Sequence, residues 1–193
     1  MWIFAGLGNP GREYEDNRHN VGFMAVDHVA DKFSFPAFRS KYQAQMTEGR
    51  IDGDKVLILK PQTYMNESGQ SVKAAAKFYK VPPERIVVFH DEIDIAAAKV
   101  KVKQGGGNAG HNGLRSIQAH LGTPNFWRVR LGVGHPGSPE MVHNHVLSDF
   151  SKAEKKWLEP LLAAVSAHAD LIVENDMTGY MSKVAGEQQK ASG

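Results

Sequence analysis

Ile86-Val87-Val88-Phe89-His90-Asp91 is the stretch that decides the fold. An unbroken apolar run of β-formers, with no polar alternation, belongs to a strand buried on both faces. An imidazole and a carboxylate follow it at once, so its carboxyl end carries reactive groups. A comparable run at residues 3–7 stops at Gly8-Asn9-Pro10-Gly11, a strong turn signal. Outward from these two strands, Val21, Met24, Ala25 and Val29 recur at helical spacing across residues 21–33. Residues 38–49 and 55–59 read as strands joined through the hairpin pair Asp52-Gly53, and Pro61 stops the second. Residues 68–79 read as a helix closed by Pro82-Pro83.

Beyond the central run, Val100-Lys101-Val102-Lys103 alternates, so the lysines share one face of a strand. A glycine-rich loop, residues 105–113, leads into a helix over 114–121. A strand over 127–133 carries Arg128 and Arg130 on one face. Ser151 and Glu154 form a capping box that opens a long amphipathic helix. Leu158, Leu161, Leu162, Val165, Ala169 and Ile172 lie on its apolar side, and Pro160 is expected to kink or interrupt it. Alternating strand and helix patterns imply an α/β fold: residues 1–182 as a single domain with a twisted, mixed but mostly parallel β-sheet flanked by helices. Residues 183–193 read as a polar, flexible tail.

The 193 residues suffice for one sizeable core. No run approaches the roughly 18 apolar residues of a membrane span, and the N-terminus reads as a first strand, not a basic leader. With no cysteine, disulfides, thiolate–zinc sites and thiol nucleophiles are excluded, and a reducing cytoplasmic setting fits. The net charge of +2 hides an uneven distribution. Residues 95–139 contain no Asp or Glu, yet hold Lys99, Lys101, Lys103, Arg115, Arg128 and Arg130. Such a segment makes a positive field that attracts polyanions; the plain alternative is a solvated basic face balanced by acids elsewhere.

Polar residues recur after strands: Asn9; Thr63, Asn66 and Ser68; His90 and Asp91; Asn108, His111 and Asn112. If those strands run parallel, these groups converge on the crevice beyond the strands' carboxyl ends, where open α/β sheets bind ligands. His19, in the loop before the first helix, can serve as a neutral base near pH 7, with Asp91 orienting its ring. Read singly, each has a plainer reading, as a surface histidine and a loop acid. Gly105–Gly110 matches both dinucleotide and phosphate-loop spacings, but the acidic residue and the lysine those sites need are missing. What survives is a loop that lets a ligand approach the backbone, or one that is simply flexible. There is no G-x-S-x-G and no H-E-x-x-H. His135, His143 and His145 form a weak candidate for a metal cluster, and no metal site is assigned.

Taken together, six segments in order resemble the bacterial-type peptidyl-tRNA hydrolase family over residues 3 to 150. They are Gly6-Leu7-Gly8-Asn9-Pro10-Gly11, Tyr14 with Arg18-His19-Asn20-Val21-Gly22, Pro61-Gln62-Thr63-Tyr64-Met65-Asn66-x-Ser68-Gly69, His90-Asp91-Glu92-x-Asp94, Gly105-Gly106-Gly107-x-x-Gly110-His111-Asn112-Gly113-Leu114, and Arg130-Leu131-Gly132-Val133-Gly134-His135-Pro136-Gly137. The resemblance implies a monomeric, cofactor-free, metal-independent hydrolase that cleaves the ester between peptide and tRNA, releasing tRNA for reuse in translation. It implies His19 as the base, Asp91 as its orienting partner and Asn9 at the oxyanion. Tyr14, Met65, Asn66, His111 and Asn112 would bind the peptide and the terminal nucleoside. Lys103, with Lys101, would meet the 5′-phosphate and Arg130 the RNA backbone. The chain departs from the family pattern at Gly137-Ser138-Pro139-Glu140, where some members carry a phosphate-binding lysine, and at His145, where an aromatic residue is usual. An RNA-binding module without catalysis and a nucleotide-dependent enzyme are the competing readings.

Overall fold

A computed structural model describes residues 1–192. Strands β1 (Trp2–Gly6), β2 (Arg39–Lys41), β3 (Ala44–Ile51), β4 (Asp54–Pro61), β5 (Ile86–Glu92), β6 (Val100–Gln104) and β7 (Trp127–Gly132) form one sheet in the order β2-β3-β4-β1-β5-β7-β6. The central strands β4, β1, β5 and β7 are parallel, whereas β2, β3 and β6 run antiparallel to their neighbours. The fold is therefore a single α/β domain with a mixed sheet and a parallel centre. Successive residues of the central strands point to opposite faces, and both faces are covered. Phe4, Val87, Phe89, Val129 and Leu131 pack under α1 (Val21–Lys32), α5 (Lys152–Ala167) and α7 (Met177–Ser192). Ile3, Ala5, Leu57, Leu59 and Val88 pack under α2 (Ser68–Tyr79) and α3 (Asn112–Leu121). Among the described residues, no helix is long and apolar enough to cross a membrane.

Four local expectations change. Residues 38–49 are two strands, because the chain reverses at Tyr42-Gln43, both with positive φ (57° and 53°). Left-handed backbone costs a non-glycine residue about 1–2 kcal/mol. Here Tyr42 offsets that cost by packing its ring 5.8 Å from Phe78 and 6.0 Å from Tyr79. Next, β6 is antiparallel to β7, so the glycine-rich loop leaves the edge of the sheet opposite the parallel strands' carboxyl ends. Gly105 and Gly106, at φ 68° and 94°, let it turn back. Third, α5 runs through Pro160 without a break, held on both sides by buried Leu158, Leu161, Leu162 and Val165. It ends at Ala167, so Ala169 and Ile172 belong to the separate helix α6 (Ala169–Val173). Finally, α7 runs through the expected boundary at 182/183. Val184, one turn after buried Tyr180, joins the core, and Gln188 Nε2 donates to the Ala98 carbonyl.

Candidate active site

The carboxyl ends of β1, β4 and β5 meet beside a cleft of about 450 Å³. From β1 comes Asn9, after β4 come Met65 and Asn66, and β5 contributes Asp91. His19 arrives on a short 3-10 turn, Arg18–Asn20, that runs straight into α1. The close approach depends on Gly22, where a Cβ would collide with the Phe89 carbonyl and the Leu7 backbone. Asn20 fastens the two loops: its Oδ1 accepts from Asn9 N and its Nδ2 donates to Asn9 O, both at 2.9 Å. Asn9 Oδ1 accepts from Met65 N at 2.7 Å. That bond fixes the amide's orientation and leaves Nδ2 as the donor for a ligand.

Asp91 is 3% exposed and shared between two imidazoles. Its Oδ2 lies 2.7 Å from His19 Nδ1, and its Oδ1 lies 2.8 Å from His111 Nε2. A carboxylate only accepts, so both ring nitrogens are donors. His111 Nδ1 accepts from the backbone N–H groups of Gly113 and Leu114, which makes His111 a neutral Nε2–H tautomer and the N-cap of α3. His19 carries its proton on Nδ1, leaving the Nε2 lone pair for chemistry. Burial pulls the His19 pKa down, but the charge of Asp91 and its hydrogen bond outweigh that and raise it above 6.5. Burial alone would raise the carboxyl of Asp91; His19 and His111 instead hold it well below the usual carboxylate range. His90, wholly enclosed behind them, is pushed down to about 3, chiefly by burial. It therefore stays neutral, donating through Nδ1 to the Asp91 carbonyl at 2.8 Å.

His19, Asp91, Asn9, Met65, Asn66, His111 and Asn112 all line the cleft. Tyr14 does not; it sits half-buried on the 3-10 turn Arg12–Tyr14. Lys103 and Arg130 line a second cavity of about 250 Å³, which shares Glu92 and Ala109 with the cleft. The β6–β7 register pairs Lys101 with Arg130 and Lys103 with Arg128, so all four cations stand on one face of the sheet. Their environments differ. Lys101 and Lys103 are exposed, whereas Arg128 is 1% exposed and donates to Gly107 O at 2.6 Å and Asn108 Oδ1 at 3.0 Å. Arg128 thus pulls the glycine-rich loop back toward the cleft, which β6 by its direction cannot do. Neither Arg128 nor Asn20 was distinguishable by residue type from its neighbours; their partners lie 11 to 21 residues away. Also unforeseen is the apolar wall formed by Val142, Val146 and Leu147 around α4 (Val142–Val146).

The three downstream histidines do not form a ligand set. His143 lines the cleft, His145 Nε2 donates to Val133 O and Gly134 O, and His135 Nδ1 accepts from Gly137 N. Among the described residues, ligand atoms of His19, Asp91 and His111 lie within 4.8 Å of one another and could approach a metal ion. An ion there would displace both hydrogen bonds on Asp91 and the proton on His111 Nε2. The nucleotide reading loses support as well. At the start of α3, the N–H groups of Gly113 and Leu114 are occupied by the His111 side chain, so they are not presented to a phosphate.

Comparison with known proteins agrees with these motifs. A family model described as peptidyl-tRNA hydrolase matches residues 3–192. The peptidyl-tRNA hydrolase of Mesorhizobium japonicum is 54% identical over 185 residues, covering 96% of this chain and 77% of that protein. The peptidyl-tRNA hydrolase of Beijerinckia indica is 50% identical over 184 residues, covering 95% and 92%. In structure, the chain superposes on the peptidyl-tRNA hydrolase of Acinetobacter baumannii with a TM-score of 0.90 and 40% identity, over 95% of this chain and 94% of that one.

Proposed function

Because the chain belongs to the peptidyl-tRNA hydrolase family, we propose that it hydrolyses the ester joining a peptide to the terminal ribose of tRNA, with His19 as general base. The observation that carries this reading is the division of the Asp91 carboxylate between two imidazoles, which leaves His19 Nε2 as the basic atom of the cleft. In the reaction, His19 Nε2 takes a proton from water as the water oxygen attacks the ester carbonyl carbon. Asp91 stabilises the imidazolium that forms. The tetrahedral oxyanion meets Asn9 Nδ2, whose orientation the Met65 N–H fixes. A preorganised donor of this kind contributes on the order of 3 kcal/mol. Collapse breaks the bond to the ribose oxygen, and the imidazolium returns its proton to that leaving oxygen. The products are a free peptide and a tRNA available for reuse. A base activated by a buried carboxylate needs no metal.

Asn66 and Asn112 flank the same cleft and offer both donors and acceptors to a peptide amide. A blocked amino group pairs with them, whereas a free ammonium brings donors only, so N-blocked substrates are preferred. Met65 would contact the terminal nucleoside, while Tyr14 stands outside the cleft lining. Lys103, Arg130 and Lys101 form a cationic face beside the cleft, suited to the 5′-phosphate and backbone of the acceptor stem. The enzyme acts as a cytoplasmic monomer. The test is release of peptide from N-blocked aminoacyl-tRNA in the presence of a chelator, by wild type and by His19→Ala. Chelator-resistant turnover that disappears in the variant is expected; chelator-sensitive turnover, or an active variant, contradicts the mechanism. A protein that binds tRNA without cleaving it would instead be a binding module.

A further inference from the structure

The wall of the cleft built around α4 has little behind it. One side presents Val142, Val146 and Leu147 to the cleft, while Met141, Asn144 and His145 border a separate open cavity of about 390 Å³. Arg18 holds this segment in place. Its Nη1 donates to His145 O at 3.0 Å and to Ser148 O at 3.3 Å, carbonyls at and just beyond the carboxyl end of α4, where a cation is favoured. Its Nε and Nη2 fork onto the Glu154 carboxylate at 3.1 and 2.5 Å, and Glu154 closes the capping box of α5. The Arg18 backbone N–H also donates to Ser148 O at 3.0 Å, and Asn17 Nδ2 donates to Asp149 Oδ1 at 2.7 Å. The residue adjoining the base is therefore clasped to the wall facing it, across more than 120 positions of sequence.

We propose that Arg18 is a positioning residue that sets the height of α4 over the cleft, and so the room for the side chain of the amino acid esterified to tRNA. The inference rests on reading the cleft as the peptidyl-tRNA site. An apolar side chain is the chemistry that matches Val142, Val146 and Leu147. Only an arginine can fork onto Glu154 while reaching both carbonyls; a lysine keeps the charge and loses the fork. Clasp substitutions should therefore affect recognition of a bulky apolar residue, and leave water activation by His19 in place.

The experiment is steady-state kinetics of Arg18→Lys and Glu154→Gln with N-acetyl-phenylalanyl-tRNA and N-acetyl-glycyl-tRNA, alongside thermal melts. Glutamine retains the capping acceptor, so α5 keeps its start. KM for the phenylalanyl substrate should rise about tenfold and KM for the glycyl substrate less than about threefold, with the pH of the ascending limb unchanged. An equal rise for both substrates would overturn the proposal. So would a displaced pH limb, which would mean that Arg18 acts through His19. Val146→Ala leaves the clasp intact and thins the wall; it should give the same phenylalanyl-selective loss even if a clasp variant does not fold, and a uniform loss would count against the idea. A wild type that cleaved neither substrate would overturn the proposed activity itself, whereas cleavage of both with uniform clasp effects would overturn the clasp alone.

Discussion

Two polar regions lie side by side and are built in opposite ways. In the cleft, Asp91 is buried, each of its oxygens is paired, and the asparagine facing His19 is locked by backbone bonds. On the neighbouring face of β6 and β7, Lys101 and Lys103 project into solvent beside Arg130, and among the described residues no comparable network surrounds these three. The contrast matches the roles proposed for the two regions. Proton transfer needs a base at a fixed place in a low dielectric, whereas attraction of a polyanion works over several ångströms and tolerates motion. Substitutions in the first region should fall on kcat, and those in the second on KM and its salt dependence.

The largest expected effect is at the base and its partner. His19→Ala should lower kcat by about 10²–10⁴-fold, the range general acid–base catalysis supplies. Asn9→Ala comes next, at about 10²-fold in kcat, the worth of one oxyanion donor; a change confined to KM would place Asn9 in ground-state binding only. On the cationic face, Lys103→Ala and Arg130→Ala should each raise KM several-fold, with kcat intact. Each should also reduce the slope of log affinity against log salt by about one. Arg128 breaks the symmetry of that face. Though it stands beside Arg130 on the same strand, Arg128→Met should destabilise the fold by about 3 kcal/mol or less, because the buried guanidinium and the bonds by which it holds Gly107 and Asn108 are lost. Arg130→Met should leave stability almost unchanged. Equal melting shifts would refute the division between a structural and a recognition arginine. The smallest effect belongs to Lys101→Ala, whose exposed side chain lies outside the lining of the cationic cavity.

The same contrast explains what sequence reading could reach. The parallel centre was legible because Ile86 to Phe89 and the run from Ile3 are apolar at every position. His19 and Asp91 were legible as reactive types next to turn signals. Strand direction was not, since Val100 to Lys103 alternate in the same way whether β6 runs parallel or antiparallel. Hence the route of the glycine-rich loop, and the buried arginine that returns it, could not be read. His111 was readable as a candidate for the cleft, which it lines, but its bonds to Asp91 and to its own helix arise only in three dimensions. The Tyr42-Gln43 turn carries none of the Gly, Asn or Asp that announce such backbone. The tail residues looked polar because the apolar face of α7 at Val184 is supported by few other large side chains.

The central claim is that Asp91 both orients His19 and holds its pKa up against burial. The most direct test is the pH dependence of kcat/KM for wild type and Asp91→Asn, with peptidyl-tRNA well below saturation. In wild type the base must be neutral, so activity should climb with pH through an apparent pKa above 6.5. With the charge of Asp91 removed, burial acts unopposed on the imidazole, so the limb should move to lower pH while the plateau falls. A wild-type limb below 6.5, or a variant limb that stays where it was, would contradict the account.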